Sequence, residues 1–501
     1  MKNLNLNWII VIFVSSLFIG CSKDDSPDPT PDPEPVVLES EINKFVWDAM
    51  NLWYLWQDEV ENLDDDLSGD QNSFFTFLNK YGTPEGLFED ITSDKDRFST
   101  IVPDYDILFN SFSGVAKTNG IEFVLTRPPE GGTKVIGIVR YIVNGSDAEA
   151  KGIKRGDIFY AVNGTELFAE TDANGRITNS NLSLLNPDTY TLNFATIEND
   201  QTTSNGVNVE LVKGVLTENP IHISKTLDIE GKKIGYLMYN QFTRNFDNQL
   251  NDAFSEFKSN GITDLVVDLR YNPGGSVLSA TRLGSLITGQ FSGQLFSEQS
   301  WNTKWNEVFN SEDLENTFVS DIDGTPLNSL NLSKVYIIAT DDSASASELV
   351  INSLRPYIDV IHIGDRTVGK NEFSITLVDN TSQGIYKYAV INDASVSNAN
   401  PNHKYALQPL VGTNKNANGF SEFTNGLEPD ISQKEALSNL GVLGDQNEPL
   451  LAIAIQQITG IAAKRSLEAY DERYQINTLK SSTDYKPYRR ISNYDVFKGN
   501  K

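Results

Sequence analysis

Ser345 and Lys370 are the residues of this chain best suited to act as a nucleophile and its base. Ser345 lies in the run Asp342-Ser343-Ala344-Ser345-Ala346-Ser347-Glu348, and Lys370 follows Gly369 just after the apolar stretch Val360-Ile361-His362-Ile363. A serine hydroxyl becomes a good nucleophile when a neighbouring base takes its proton. A lysine amine can be that base only when neutral, and burial can lower its pKa to about 5–6 in extreme cases. Each residue also has a plainer reading. Ser345-Ala346-Ser347-Glu348 fits the S-x-x-E capping box at the start of a helix running through Leu349-Val350-Ile351. The same place, a helix N-terminus, favours developing negative charge. Lys370 can be an exposed turn lysine. It also completes a partial phosphate-loop pattern, Gly364 to Lys370, but Asn371 stands where Ser or Thr is required. Phe373 to Val378 then alternates like a strand, whereas a phosphate loop opens a helix. Nucleotide binding is therefore not expected.

A third element lies upstream. Asp268-Leu269-Arg270-Tyr271-Asn272-Pro273-Gly274-Gly275 ends an apolar strand. Its Pro-Gly-Gly turn is either a simple tight turn or a place where the N–H of Gly274 or Gly275 faces a cleft without side-chain obstruction. Little other catalytic equipment is present. The chain holds one Cys and three His, with no CxxC or HExxH pattern, so no metal or other cofactor is expected. His362 sits inside an apolar strand, His222 between two Ile and His403 in a Pro/Asn loop; each reads as packing. A net charge of -28 argues against nucleic acid, whose phosphates require clustered Lys and Arg.

Several units must position these groups, since 501 residues exceed one compact core. Residues 1–20 combine Lys2 with the apolar run from Trp8 to Val14 and read as a signal peptide. Residues 21–39 carry alternating Pro and acids and read as an extended tether. Residues 40–111 open with Ile42, Phe45, Val46, Ala49, Met50 and Trp53 at helical spacing. Residues 112–213 read as β-rich, with strands at Val135–Val143 and Ile158–Val162, a short helix at Ser146–Lys151 and an Asn163-Gly164 turn. Residues 214–460 alternate strand and helix, and the continuous apolar runs Asp264–Leu269 and Val335–Thr340 suit strands covered on both faces. Residues 461–501 are polar and aperiodic, and a loose or disordered tail is expected there.

Three resemblances add to this reading. Phe18-Ile19-Gly20-Cys21 resembles a bacterial lipoprotein box, which implies cleavage before Cys21 and lipidation of its thiol. Such an anchor places the chain at the outer membrane, facing the periplasm or the cell surface. Gly152-Ile153-Lys154-Arg155-Gly156-Asp157 with the strand and Asn-Gly turn that follow resembles a PDZ domain. Asn119-Gly120-Ile121-Glu122-Phe123 is then the candidate loop for a chain-terminal carboxylate, with Gly120, Ile121, Glu122 and Phe123 as binding residues.

The ordered motifs around Gly274, Ser345 and Lys370, with the 25-position spacing of the last two and a late Gly426-Leu427-Glu428-Pro429-Asp430 turn, resemble the C-terminal processing (tail-specific) serine peptidases. The resemblance implies an α/β multidomain protein with an N-terminal helical segment, a PDZ-like β-rich domain and a crotonase/ClpP-like peptidase core. It implies Ser345 as nucleophile, Lys370 as general base, and Ala346 with Gly274 or Gly275 as backbone oxyanion donors. Substrates would be proteins or peptides with free C-termini. Many members carry Gln four residues after the lysine; here Ser374 holds that place and is the candidate to orient Lys370. The Asp that others place eleven residues after the nucleophile is Pro356. The missing Gln motivates a second reading, a catalytically weak or silent surface lipoprotein that only holds peptide tails. Exposed aromatics and acids suggest, more remotely, carbohydrate handling.

Overall fold

The protein is described from a computed structural model covering residues 34–380, 398–461 and 474–486. The expected signal peptide, Cys21 and most of the tether lie outside the described residues. Val36 is already fixed, its N–H donating to Asn72 Oδ1 at 2.8 Å, so the free tether ends earlier than residue 39. Among the described residues, no helix is long and apolar enough to cross a membrane.

The N-terminal unit begins with α1 (Glu41–Trp53), capped by Ser40. Its apolar face, Phe45, Val46, Ala49, Met50 and Trp53, is buried as the spacing predicts, and Trp47 joins it. Trp53 stacks on Trp305 with ring centroids 4.1 Å apart. The cluster continues through Trp301, Phe373 and Ile375, so this helix forms one core with the segment just after Lys370. The six residues Phe373–Val378 are all buried and divide between two sheets. Their alternation marks no solvent face, because the N-terminal unit covers the side that would otherwise be wet.

The β-rich unit is an antiparallel sheet. Its strands are β1 (Ile121–Thr126), β2 (Ile136–Ile142), β3 (Ile158–Val162), β4 (Thr189–Glu198) and β5 (Gln201–Val212). Space order is β5-β4-β3-β2-β1. The short helix α2 (Asp147–Ala150) is capped by Ser146. Asn163 and Gly164, at φ 50° and 79°, make the hairpin turn after β3, as two positive-φ positions require. At Gly120, φ is +84° and an added Cβ would stand 2.0 Å from Ser146 Cβ, so no side chain fits there.

The α/β core holds β6 (Ile221–Ile229), β7 (Lys232–Tyr239), α3 (Asp247–Asn260), β8 (Asp264–Asp268), α4 (Val277–Thr288), β9 (Lys334–Ala339), α5 (Ala346–Leu354), β10 (Asp359–Gly364), β11 (Ile431–Ser432) and α6 (Pro449–Thr459). The sheet runs β6-β7-β8-β9-β10-β11. Only the β6–β7 pair is antiparallel; the other neighbours are parallel. Leu237, Val267 and Ile337 face α3, α4 and α5, while Tyr236, Met238, Val266 and Ile338 face α6. Burial on both faces explains the continuous apolar runs. Ligand clefts in such sheets open beyond the carboxyl ends of the strands. Asn272–Gly275, Ser345 and Lys370 follow β8, β9 and β10 respectively.

A buried charge network joins the two units. Arg270 is fully buried and pairs with Asp268 at 2.7 Å, Glu448 at 2.7 Å and Glu435 at 3.0 Å. Arg155 reaches the same Glu435 at 2.6 Å from the β-rich unit and donates to Tyr271 Oη at 2.7 Å. Burial opposes the charge of Glu435, yet Arg155 and Arg270 hold its pKa at about 2. Each ion in such a cluster is costly to bury alone and tolerable only with its partners. The Asp-Leu-Arg motif is thus an anchor for the turn that follows it.

The tail departs from expectation. Residues 474–486 are not loose: β12 (Lys480–Ser481) pairs antiparallel with β1, followed by a 3₁₀ turn at Ser482–Tyr485. A strand added to a sheet edge is held by backbone bonds, which need no apolar periodicity. That is why composition gave no sign of it.

Candidate active site

Ser345 occupies the sharp turn between β9 and α5. Its φ of 54° and ψ of −111° lie outside the common regions for a residue with a side chain, a strain of order 1–3 kcal/mol that the surroundings must enforce. The flanking hydroxyls do so. Ser343 Oγ donates to Leu269 O at 2.8 Å, and Ser347 Oγ donates to Asn272 O at 2.9 Å. Both tie the turn to the segment after β8 and leave the middle serine as the variable one. The capping box read from the sequence is present, with Glu348 accepting from the Ser345 N–H at 2.8 Å. Cap and nucleophile are therefore compatible readings of one residue.

Gly274 lies against this turn. A Cβ there would stand 2.8 Å from Ser345 Cβ and 3.1 Å from Ala346 N. The Gly274 N–H donates to Asn272 Oδ1 at 2.9 Å, so of the two glycines it is the less available donor. The N–H groups of Gly275 and Ala346 take no part in the backbone hydrogen bonds of the described residues. Ala346 is the first residue of α5, where helix N–H groups have no intrahelical partner.

Lys370 is 3 % exposed. Burial lowers its pKa from the ordinary 10.5 to about 8, against the opposing pull of Glu372, Asp96 and Glu348. Its ammonium sits 5.1 Å from the centre of the Phe98 ring, and no ion pair with it forms among the described residues. Glu348 joins the Lys370 loop to the Ser345 turn. The backbone N–H groups of Ser345 and Lys370 each donate to the same oxygen, Oε2, at 2.8 Å. Oε1 accepts from Gly369 N at 2.7 Å and from the Thr367 hydroxyl. Burial raises the Glu348 pKa, and these four donors counter that rise. A carboxylate with this many donors is fixed in place, and so are the two residues it holds.

The Lys370 loop is fitted tightly. A Cβ on Gly369 would lie 2.4 Å from Gly426 N and one on Gly426 would lie 2.1 Å from Thr367 O, which explains the glycines of both the Gly-Lys pair and the late Gly-x-x-Pro-Asp turn. Arg97 donates to Thr424 O at 3.0 Å and to Gly369 O. No helix opens at Lys370; the chain continues into the strand Glu372–Ser374, which removes the phosphate-loop reading. Ser374 does not orient the lysine. Its Oγ is buried without a hydrogen-bond partner, because the strand turns this short side chain into the core. The histidines stay apart from the site. His362 Nε2 lies 3.2 Å from Ala339 O, His222 packs on Tyr141 and His403 meets Asp379 at 3.3 Å.

A cleft of about 370 Å³ opens here, lined by Pro273, Ala344, Val368 and Lys370 together with Glu122, Ser482 and Lys486. Phe98, Arg97, Thr367 and the second role of Glu348 were not found from the sequence. Only Glu348 carried a signal, as the capping-box acid.

Against this geometry, two family models match the chain. The description "Peptidase family S41" fits residues 233–431 and "Peptidase S41 N-terminal domain" fits residues 41–100. The chain belongs to peptidase family S41. The first S41 model spans the turns carrying Gly274, Ser345 and Lys370, and the second ends at Thr100, two residues past Phe98. A Staphylococcus aureus (strain N315) protein described as a probable CtpA-like serine protease is 25% identical over 241 residues, 47% of this chain and 42% of that protein. A Picosynechococcus carboxyl-terminal-processing protease is 25% identical over 228 residues, 45% of this chain and 49% of its own length. The chain thus spans less than half the length of these curated relatives. A crystal structure assigned to the S41 proteases of Bacteroides fragilis superposes with a TM-score of 0.63 at 24% identity, covering 87% of this chain and 100% of that one. It shares the fold.

Proposed function

We propose that this S41 chain is a serine endopeptidase in which Ser345 is the nucleophile and Lys370 its general base. The supporting observation is that Lys370, whose buried amine is brought to a pKa of about 8, is held beside the Ser345 turn by backbone N–H groups of both residues that share one oxygen of Glu348. The neutral amine takes the Oγ proton as Oγ bonds to the peptide carbonyl carbon. The oxyanion accepts from the N–H groups of Ala346 and Gly275, in the manner of other acyl-transfer sites. The ammonium returns its proton to the leaving amine, and the C–N bond breaks to leave an ester on Ser345. Water, losing a proton to the same amine, hydrolyses the ester and restores the hydroxyl. The β-rich unit acts as a PDZ-like domain that captures protein C-termini along Gly120–Phe123. The processing-protease relative supports that substrate class by its name.

The test uses a fluorophosphonate probe on the full chain. Ser345 is expected to be the labelled residue, with labelling that rises with pH through a midpoint near 8 and is lost in Lys370→Met. Equal labelling of Ser345 in that variant would remove Lys370 from the mechanism. The second reading, a silent peptide-binding lipoprotein, is favoured by the unpartnered Ser374 Oγ; complete failure of the parent chain to label, with a C-terminal peptide still bound, would favour it.

Lipidation at Cys21 would fix the protein to the outer membrane, since several acyl chains at about 0.8 kcal/mol per buried CH₂ hold firmly. Expressed with its export signal, the chain is expected to partition into the detergent phase and Cys21→Ser into the aqueous phase. Identical partitioning would reject the anchor.

A further inference from the structure

The edge of β1, where a captured peptide would add as a strand, already holds a peptide: residues 477–486 of the chain itself. Ser481 stands opposite Val124 and Lys480 opposite Leu125. The Leu479 N–H donates to Leu125 O at 2.8 Å, and the Thr126 hydroxyl donates to Asn477 O at 2.8 Å. The antiparallel register carries the segment, in its N-to-C direction, toward the Asn119-Gly120 turn. Tyr485 packs its ring 5.8 Å from that of Phe123 and donates to Leu182 O at 3.2 Å.

Recognition centres on Glu122. This acid is 3 % exposed within a strand whose six residues are all buried. Ser482 Oγ donates to its Oε2 at 2.6 Å, and the Lys486 ammonium pairs with its Oε1. Glu218 lies 3.7 Å from the same ammonium. An acid buried at a sheet edge is costly without a cation and hydrogen-bond donors, and the docked segment supplies both. The contacts also share the cleft with the candidate base, because Glu122, Ser482 and Lys486 line the same cleft as Lys370 and Pro273.

We propose that the β1 groove selects peptides that pair with β1 as a strand and then turn, bringing a hydroxyl side chain and a Lys or Arg four residues further on to Glu122. Residues 477–486 are the internal ligand that a substrate must displace. This rests on the reading that the β-rich unit captures peptides. Glu122 is the specificity determinant, acting through binding and not in the bond-breaking step.

The experiment measures fluorescence polarisation of a labelled peptide with the sequence of residues 477–486, added to the full chain carrying Ser345→Ala so that nothing is cleaved. Adding Leu479→Pro and Lys486→Ala, which remove a strand bond and the internal cation, is expected to tighten binding at least tenfold. The Lys486→Glu form of the peptide is expected to bind at least tenfold more weakly than the parent peptide, and Glu122→Gln to erase that difference. Should the loosened variant not fold, hydrogen exchange on the chain with its tail intact decides: saturating peptide is expected to speed exchange at residues 477–486, and unchanged exchange overturns the proposal. A groove taking both peptides equally also overturns it while leaving peptide capture standing. A groove taking neither overturns both, and neither result bears on labelling of Ser345.

Discussion

Replacing Ser345 with alanine is expected to lower kcat/KM on an unstructured polypeptide by 10⁴–10⁶-fold, on the order seen when a nucleophile acting as one unit with its base is removed. Few other groups near the turn could substitute. Ser343 and Ser347 have their hydroxyls committed to Leu269 O and Asn272 O. The histidines serve packing and local hydrogen bonds elsewhere. The fold should survive the change, since it costs one helix cap, about 1 kcal/mol, and β9 and α5 remain packed in the sheet core. Hydrolysis rates alongside a denaturant melt check both statements. A Ser345→Ala chain hydrolysing at the parent rate would assign the chemistry to another residue.

Lys370→Met is expected to reduce hydrolysis by 10³–10⁵-fold, again as loss of half of a cooperating pair, and at the same time to stabilise the protein. The second effect follows from linkage. The folded pKa of about 8 lies below the ordinary 10.5, so the folded state binds the proton less well than the unfolded chain does. The burial penalty is present in full below pH 8, fades as pH rises through the window from 8 to 10.5, and is absent above it. At neutral pH it amounts to roughly 3 kcal/mol. An uncharged side chain of similar length removes it, so the variant should melt higher at pH 7 and lose that advantage near pH 10. Lys370→Arg should be inactive as well, because a guanidinium does not give up its proton. Melting curves at the two pH values and a rate–pH profile provide the check. A variant that melts no higher at pH 7 would mean the lysine is not buried in charged form.

How much of this was legible in the sequence depended on the kind of interaction involved. Apolar periodicity is local, and it gave α1 and the core strands to within a residue or two. Gly261, at φ 68°, ends α3. The turns bearing Gly274, Ser345 and Lys370 were recognisable because steric limits demand particular residues there. What could not be read were contacts made across long separations by ordinary residue types. Phe98 and Arg97 reach the lysine loop from 272 residues away, and nothing local distinguishes them. Ser374 was misjudged because a place in a motif says nothing about where a short side chain points. The docked tail was missed because a strand held through its backbone leaves almost no trace in its side chains.

The shared carboxylate of Glu348 has a consequence for the life of the chain before it is complete. One oxygen fixes the Ser345 turn and the Lys370 loop together, and Arg97 donates both to that loop, at Gly369 O, and to Thr424 O. Under the Ser–Lys reading, a chain still emerging from the ribosome has no partial activity to misuse. On that reading the pair forms only when the segments carrying Arg97, Glu348 and Thr424 have met, so cleavage waits for the whole fold.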